Sequence, residues 1–143
     1  MGKIKERFAN FQKALLRLKE AVEERSDNPL LYDGAIQRFE FTYELAWKLL
    51  KAYLEYQGIV NISSPRAVFK EAFSVGLIEN QEKWLKMIED RNLTVHTYDE
   101  CVAKIIFERI KSDYLPLFIE LEKRVEELIK WNLGLKIPYL KRL

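Results

Sequence analysis

The segment Arg91-Asn92-Leu93-Thr94-Val95-His96-Thr97-Tyr98 holds a guanidinium, an amide, the chain's one imidazole and a phenol within eight residues. Imidazole is the side chain whose ordinary pKa lies closest to neutrality, so His96 is the natural candidate for proton transfer. Arg91 can hold phosphate oxygens as negative charge builds on them, and Asn92 can orient either the imidazole or the phosphate. Together these groups suit metal-free cleavage of RNA. In that reaction a base takes a 2′-hydroxyl proton and an acid protonates the leaving 5′-oxygen. One chain offers one imidazole, so a histidine acid paired with a histidine base requires a twofold dimer with two copies of His96 facing one cleft.

On an ideal helix Arg91 and His96 point about 140° apart, whereas Asn92 and His96 share a face. Convergence of Arg91 and His96 needs the helix to end between them, or a second copy of the segment from a partner chain. The β-branched residues Thr94, Val95 and Thr97 favour an end, and Thr97 followed by Glu100 predicts a capping box that opens the next helix. The structural alternative makes His96 a polar cap between two helices and places Arg91 in a surface ion pair beside Glu89 and Asp90. Other chemistries lack their residues. There is no CxxC, HExxH, glycine-rich phosphate loop or GxSxG, so neither a metal nor a cofactor is expected.

The elements that must position this segment read as helices throughout, and nothing reads as a strand. Phe8, Phe11, Leu15, Leu18 and Val22 form one stripe of an amphipathic helix that should end near Ser26. Asn28 and Pro29 predict a capped second helix running to about Gln57 and stopping at Gly58. That helix is apolar over most of its circumference, with a polar strip at Glu40, Glu44, Lys48 and Lys51, and is expected to be central. Its aromatics sit at helical spacing, which favours core packing over a cofactor pocket. Ser64 and Pro65 open a short third helix that Gly76 closes, and a fourth begins near Asn80 and carries Trp84, Met87 and Ile88 into the motif. The last helix has an apolar seam at Ile106, Ile110, Tyr114, Leu117, Leu121, Val125 and Leu128. The seam passes Pro116 without changing phase, so a kink or short break is expected near Ser112 to Leu115. The expected fold is an all-α, up-and-down bundle of four to five helices over residues 1–130, with a polar tail over 131–143 that contains Gly134, Pro138, Lys141 and Arg142.

The 143 residues suit one domain, and 48% hydrophobic with 32% charged residues is the balance of amphipathic helices. No apolar run approaches the roughly 20 residues that span a bilayer. The N-terminus has no signal-peptide core, and a lone cysteine agrees with a reducing compartment, so a cytoplasmic location is expected. A net charge of +2, from 24 basic and 22 acidic side chains, provides no strong field toward nucleic acid. Basic residues are spread among acidic ones along the sequence, so any RNA binding must be local.

Arg91, His96 and Tyr98 match the R-x4-H-x-Y signature of the HEPN superfamily, and Asn92 matches the polar residue that usually follows the arginine. Arg38-Phe-Glu-Phe-Thr-Tyr-Glu-Leu-Ala-Trp-Lys48, Ser64-Pro-Arg66, Glu71-Ala-Phe73 and Gly76-Leu-Ile78 resemble segments of one branch, the nucleotidyltransferase substrate-binding-protein-like family. The likeness spans roughly Ile4 to Leu128. It implies a homodimeric helical bundle paired with a cognate minimal nucleotidyltransferase, in which a HepT-like ribonuclease toxin is controlled by that antitoxin. By the same resemblance Arg91 and His96 would be catalytic, Asn92 supporting, and Tyr98 the hydroxyl that receives AMP. The older family name implies the alternative, a noncatalytic module that binds substrate for the transferase.

Overall fold

The computed structural model describes residues 1–24 and 28–132. Among the described residues six α-helices follow one another: α1 (Gly2–Glu23), α2 (Leu30–Tyr56), α3 (Pro65–Ser74), α4 (Gln81–Leu93), α5 (Glu100–Arg109) and α6 (Leu115–Asn132). A 3₁₀ turn (Thr94–His96) follows α4, and a π-helical turn (Ile110–Tyr114) joins α5 to α6. The described residues contain no strand. None of their helices is long and apolar enough to cross a membrane. The expected first-helix end near Ser26 and the tail beyond Asn132 lie outside the described residues.

The helix ends follow the capping residues. Asn28 Oδ1 accepts from Leu30 N at 2.9 Å, and Ser64 Oγ accepts from Ala67 N at 3.2 Å with Pro65 in the first turn. Gly58 (φ 90°) and Gly76 (φ 81°) end α2 and α3 in the left-handed region, where a side chain would be strained. Each is followed by a backbone bond that reaches back over the last turn, Ile59 N to Leu54 O at 2.9 Å and Leu77 N to Ala72 O at 2.8 Å. This Schellman closure satisfies carbonyls that the helix end would otherwise leave free.

Helices α1 and α2 run antiparallel. Lys3 pairs with Glu55 at one end, and Arg38 Nη1 donates to the Arg17 carbonyl at 2.8 Å at the other. The α1 stripe (Phe8, Phe11, Leu15, Leu18, Val22) is buried as its spacing predicts. It meets a cluster of rings: Phe39 stacks on Tyr114, and Phe118 packs edge-on against Phe11 and Trp84. α2 is the central helix, and its aromatic residues serve packing with two exceptions, Phe41 and the 52% exposed Tyr56. Phe39 is wholly buried, whereas Phe41 is 57% exposed.

The seam of the last helical stretch is buried at all seven expected positions. Pro116 produces no break. Instead Ile110–Tyr114 widens into a π turn in which Leu115 N bonds Ile110 O, so the proline's missing donor falls within a locally expanded register. Ser112 Oγ donates to the Glu108 carbonyl at 2.6 Å in the same turn. The expected kink site is therefore correct in place and different in kind.

At the base of this arrangement lies Asp90, which is fully buried. Its carboxylate accepts from Arg109 Nη1 at 2.7 Å on Oδ1 and from the Tyr114 phenol on Oδ2. Burial, and then the bond to the Asp90 carboxylate, push the Tyr114 phenol well above its ordinary range. Burial likewise raises Tyr53, and it pushes Tyr43 from 10.0 up to about 12. These phenols hold their protons more tightly in the folded chain, so stability is level below the ordinary value of 10.0 and declines as pH rises toward about 12. Two outcomes are expected. Chemical denaturation should show stability falling steeply only above that ordinary value. Tyr114→Phe should cost about 1–3 kcal/mol by leaving one buried carboxylate oxygen without its donor. A neutral Tyr114→Phe would mean that Arg109 alone satisfies Asp90.

Candidate active site at the end of helix α4

Three consecutive charged residues close α4, and helical rotation of about 100° per residue sends each into a different environment. Glu89 is exposed, Asp90 is buried against Arg109 and Tyr114, and Arg91 is partly buried against α2. Arg91 does not pair with either sequence neighbour, contrary to the surface-pair alternative. Its Nη1 lies 3.5 Å from Oε2 of Glu40, with the two side chains 29% and 33% exposed. Adjacent residues on a helix do not face one another, so the partner had to come from another element.

Thr94 completes this cluster and is itself buried. Its Oγ1 donates to the Arg91 carbonyl at 2.6 Å, lies 3.1 Å from Glu40 Oε2, and accepts from Arg91 Nη1 at 3.4 Å. The single hydroxyl proton serves one acceptor at a time, and the shorter approach favours the carbonyl. A threonine bonded three residues back tightens the backbone, which is the local cause of the 3₁₀ turn. Thr97 repeats the device, donating to the Thr94 carbonyl at 3.0 Å.

The predicted helix end between Arg91 and His96 is therefore present, but the predicted capping box is not. Helix α5 starts at Glu100 and its cap is Asp99, whose Oδ1 accepts from Cys101 N at 2.8 Å and Val102 N at 3.4 Å. Thr97 is committed to the 3₁₀ turn, and a carboxylate is favoured beside helix N-terminal amides. Tyr98 consequently precedes the cap instead of occupying the first turn.

Asn92 and His96 are exposed, and Tyr98 is exposed at 84%. The His96 and Tyr98 rings meet edge-on with centroids 6.0 Å apart. Among the described residues no hydrogen bond or ion pair joins His96 to Arg91 or Asn92. Within one chain the segment thus makes two groups: an anchored guanidinium, and an exposed imidazole beside an exposed phenol. Arg91 Nε is buried and has no hydrogen-bond partner among the described residues. The side chain as a whole is 29% exposed, and it is this exposed part of the guanidinium that has capacity for an incoming oxyanion. Glu40 and Thr94 were not singled out from sequence as site residues. The available signals were a carboxylate on the polar strip of α2 and one hydroxyl three residues after the arginine.

The chain matches the family described as nucleotidyltransferase substrate binding protein like over residues 6–127. It is 36% identical over 106 residues to a Haemophilus influenzae protein named "Probable ribonuclease HepT", covering 71% of this chain and 70% of that protein. A Thermus thermophilus protein of solved structure is 40% identical, with a TM-score of 0.69 over 82% of this chain and 96% of its own. The fold is also that of a tri-AMPylated Shewanella oneidensis HEPN toxin in complex with MNT antitoxin, at 19% identity and a TM-score of 0.71, covering 87% of this chain and 96% of that one.

Thr94→Val keeps the shape of the side chain and removes the buried hydroxyl, so an unfolding free-energy loss of about 1–3 kcal/mol is expected. Glu40→Gln, at a pair that is roughly a third exposed, is expected to cost less than about 1 kcal/mol. Equilibrium denaturation of both variants checks the ranking, and a reversed order would move the local anchor from the hydroxyl to the ion pair.

Proposed function

We propose, since the chain belongs to the nucleotidyltransferase substrate-binding-protein-like family, the HepT-like branch of the HEPN superfamily, that it is a toxin that cleaves RNA without a metal. In this reading a cognate minimal nucleotidyltransferase silences it by adding AMP to Tyr98. The observation that carries the proposal is the Arg91 guanidinium, anchored by Glu40 and Thr94 with a buried Nε lacking an acceptor among the described residues, just ahead of an exposed imidazole.

The reaction follows from these groups. One neutral His96 takes the proton of a ribose 2′-hydroxyl, and the oxygen attacks the adjacent phosphorus. The bond from phosphorus to the 5′-oxygen breaks, leaving a 2′,3′-cyclic phosphate on one product. A protonated imidazole delivers its proton to the departing 5′-oxygen. Arg91 holds the non-bridging oxygens, where charge accumulates, and exposed Asn92 orients the phosphate. The second imidazole comes from a second copy of the chain. Leu93 at 41% exposure and Val95 at 68% give the motif itself apolar surface suited to such a homodimer.

The Tyr98 phenol reaches solvent beside His96, so it is accessible to a transferase. Its oxygen would attack the α-phosphorus of ATP, release pyrophosphate and carry AMP within reach of the imidazole. A bulky anion there would obstruct the cleft. The second reading is a noncatalytic, substrate-binding subunit of the transferase. The family's description favours it, and so does the partial neutralisation of Arg91 by Glu40.

Purified protein should cut single-stranded RNA in the presence of EDTA and leave cyclic-phosphate ends, and His96→Ala should lower the rate at least about 100-fold. Tyr98→Phe should still cut but accept no AMP from the partner enzyme with ATP, as read by intact-mass spectrometry. Mixing His96→Ala chains with wild-type chains should lower activity below what the wild-type fraction alone accounts for, because a mixed cleft holds a single imidazole. Absence of cleavage together with retained transferase binding would favour the noncatalytic reading.

A further inference from the structure

A groove between α1 and α2 lies outside the motif and was not visible in the charge pattern of the sequence. Asn10, Lys13 and Arg17 line it from α1, and Gln37, Arg38 and Phe41 from α2, around a volume of about 460 Å³. Lys13 and Arg17 are one helical turn apart and exposed. Among the described residues neither pairs with a carboxylate, a state they share with most of the other lysines, so what distinguishes them is the groove they line with Phe41. Arg38 faces them and is fixed in place by its bond to the Arg17 carbonyl. Glu20 and Glu24 line the neighbouring depression on the other side of Arg38, which sets the limit of the basic stretch.

Phe41 gives this charge a specific character. The ring is 57% exposed in a helix whose other phenylalanine is wholly buried, and it sits among these cations and two side-chain amides. Cations that track a backbone, with an exposed ring that can stack on a base, are the recurrent means of holding a single-stranded nucleic acid. Glu40 and Phe41 are neighbours on α2, about 100° apart around its axis. Glu40 contacts Arg91 while Phe41 lines the groove, so one helix separates the two sites.

We propose that this groove is a single-stranded RNA subsite that holds the substrate strand beyond the bond cut at Arg91 and His96. Phe41 stacks on a base, Lys13 and Arg17 meet phosphates, and Asn10 and Gln37 contact base or sugar edges. The biological use of the groove rests on the ribonuclease reading, but its affinity for RNA does not. A ring accepts the face of any base, so the subsite is tolerant of sequence. It is closed to duplex RNA, whose bases are already stacked.

Fluorescence anisotropy of a labelled single-stranded oligoribonucleotide on the full-length His96→Ala protein measures the affinity without interference from cleavage. Adding Phe41→Ala should weaken binding about tenfold, and binding of a duplex of equal length should not change. Adding Lys13→Ala with Arg17→Ala should flatten the slope of log affinity against log salt by about 0.7 for each charge removed. These side chains are exposed, so thermal unfolding by circular dichroism should match the parent. Unchanged single-strand affinity in both variants overturns the subsite, even if the wild-type chain cleaves RNA. The expected losses in a protein whose wild type cuts nothing would remove the nuclease reading and leave the subsite standing. Dissociation of a dimer by Phe41→Ala, with RNA affinity unchanged, would instead identify the face as an interface between copies and overturn the proposal.

Discussion

The buried carboxylate of Asp90 is the constraint on which the geometry of the motif depends. A fully buried carboxylate is tolerated only when its oxygens are satisfied, and here both are, by Arg109 from α5 and Tyr114 from the π turn. The bonds tie the last turn of α4 to the helical stretch that follows the motif. The chain must leave α4, reverse and return within the residues between Asp90 and Arg109, so the intervening segment is held at both ends. Arg91 follows Asp90 directly, and fixing one side chain fixes the direction of the next. The orientation of Arg91 toward α2 is in this sense a consequence of where Asp90 is buried.

Within that tether the two threonines determine how the helix stops. Each hydroxyl bonds a carbonyl three residues back, which replaces part of the helical ladder and winds the turn more tightly. The 3₁₀ turn keeps Thr94 inside while it leaves Asn92, His96 and Tyr98 on the surface. A motif whose members face opposite ways along a regular helix is thereby divided between an anchored cation and an accessible acid–base group. The division also explains why one chain does not complete the proposed cleft. Histidine and arginine are ordered by different contacts, and no bond among the described residues draws them together.

Periodicity made most of the fold legible. The α1 stripe, the central α2, the glycine closures and the unbroken seam of α5 and α6 all followed from spacing, because burial of an apolar stripe depends on little else. Local competition was less legible. Thr97 and Asp99 are both good caps near Glu100, and sequence alone did not reveal that Thr97 would be engaged with the Thr94 carbonyl. Pro116 predicted a disturbance, but whether a helix breaks or widens depends on the packing on either side, and the buried seam enforced continuity through a π turn. Glu40 was hidden for a different reason. Its significance comes from Arg91, which is remote in sequence and near only once α4 has docked on α2.

The small net charge of +2 does not describe every local surface of the folded chain. Among the described residues Lys13 and Arg17 have no carboxylate partner and line one groove with Phe41, and Arg91 is only partly offset by Glu40. Partial neutralisation has a chemical consequence for the proposed site. At 3.5 Å the Glu40 contact is looser than a charge-assisted hydrogen bond, so a phosphodiester in better register can displace it. The carboxylate then repels an anion placed on its own side of the guanidinium, and the favoured approach is from the side away from Glu40. In the proposed reaction a phosphate held there would keep its non-bridging oxygens on Arg91. Charge stabilisation of that kind needs a cation whose direction is set in advance, and the contacts of Arg91 with Glu40 and Thr94 set it before any substrate binds.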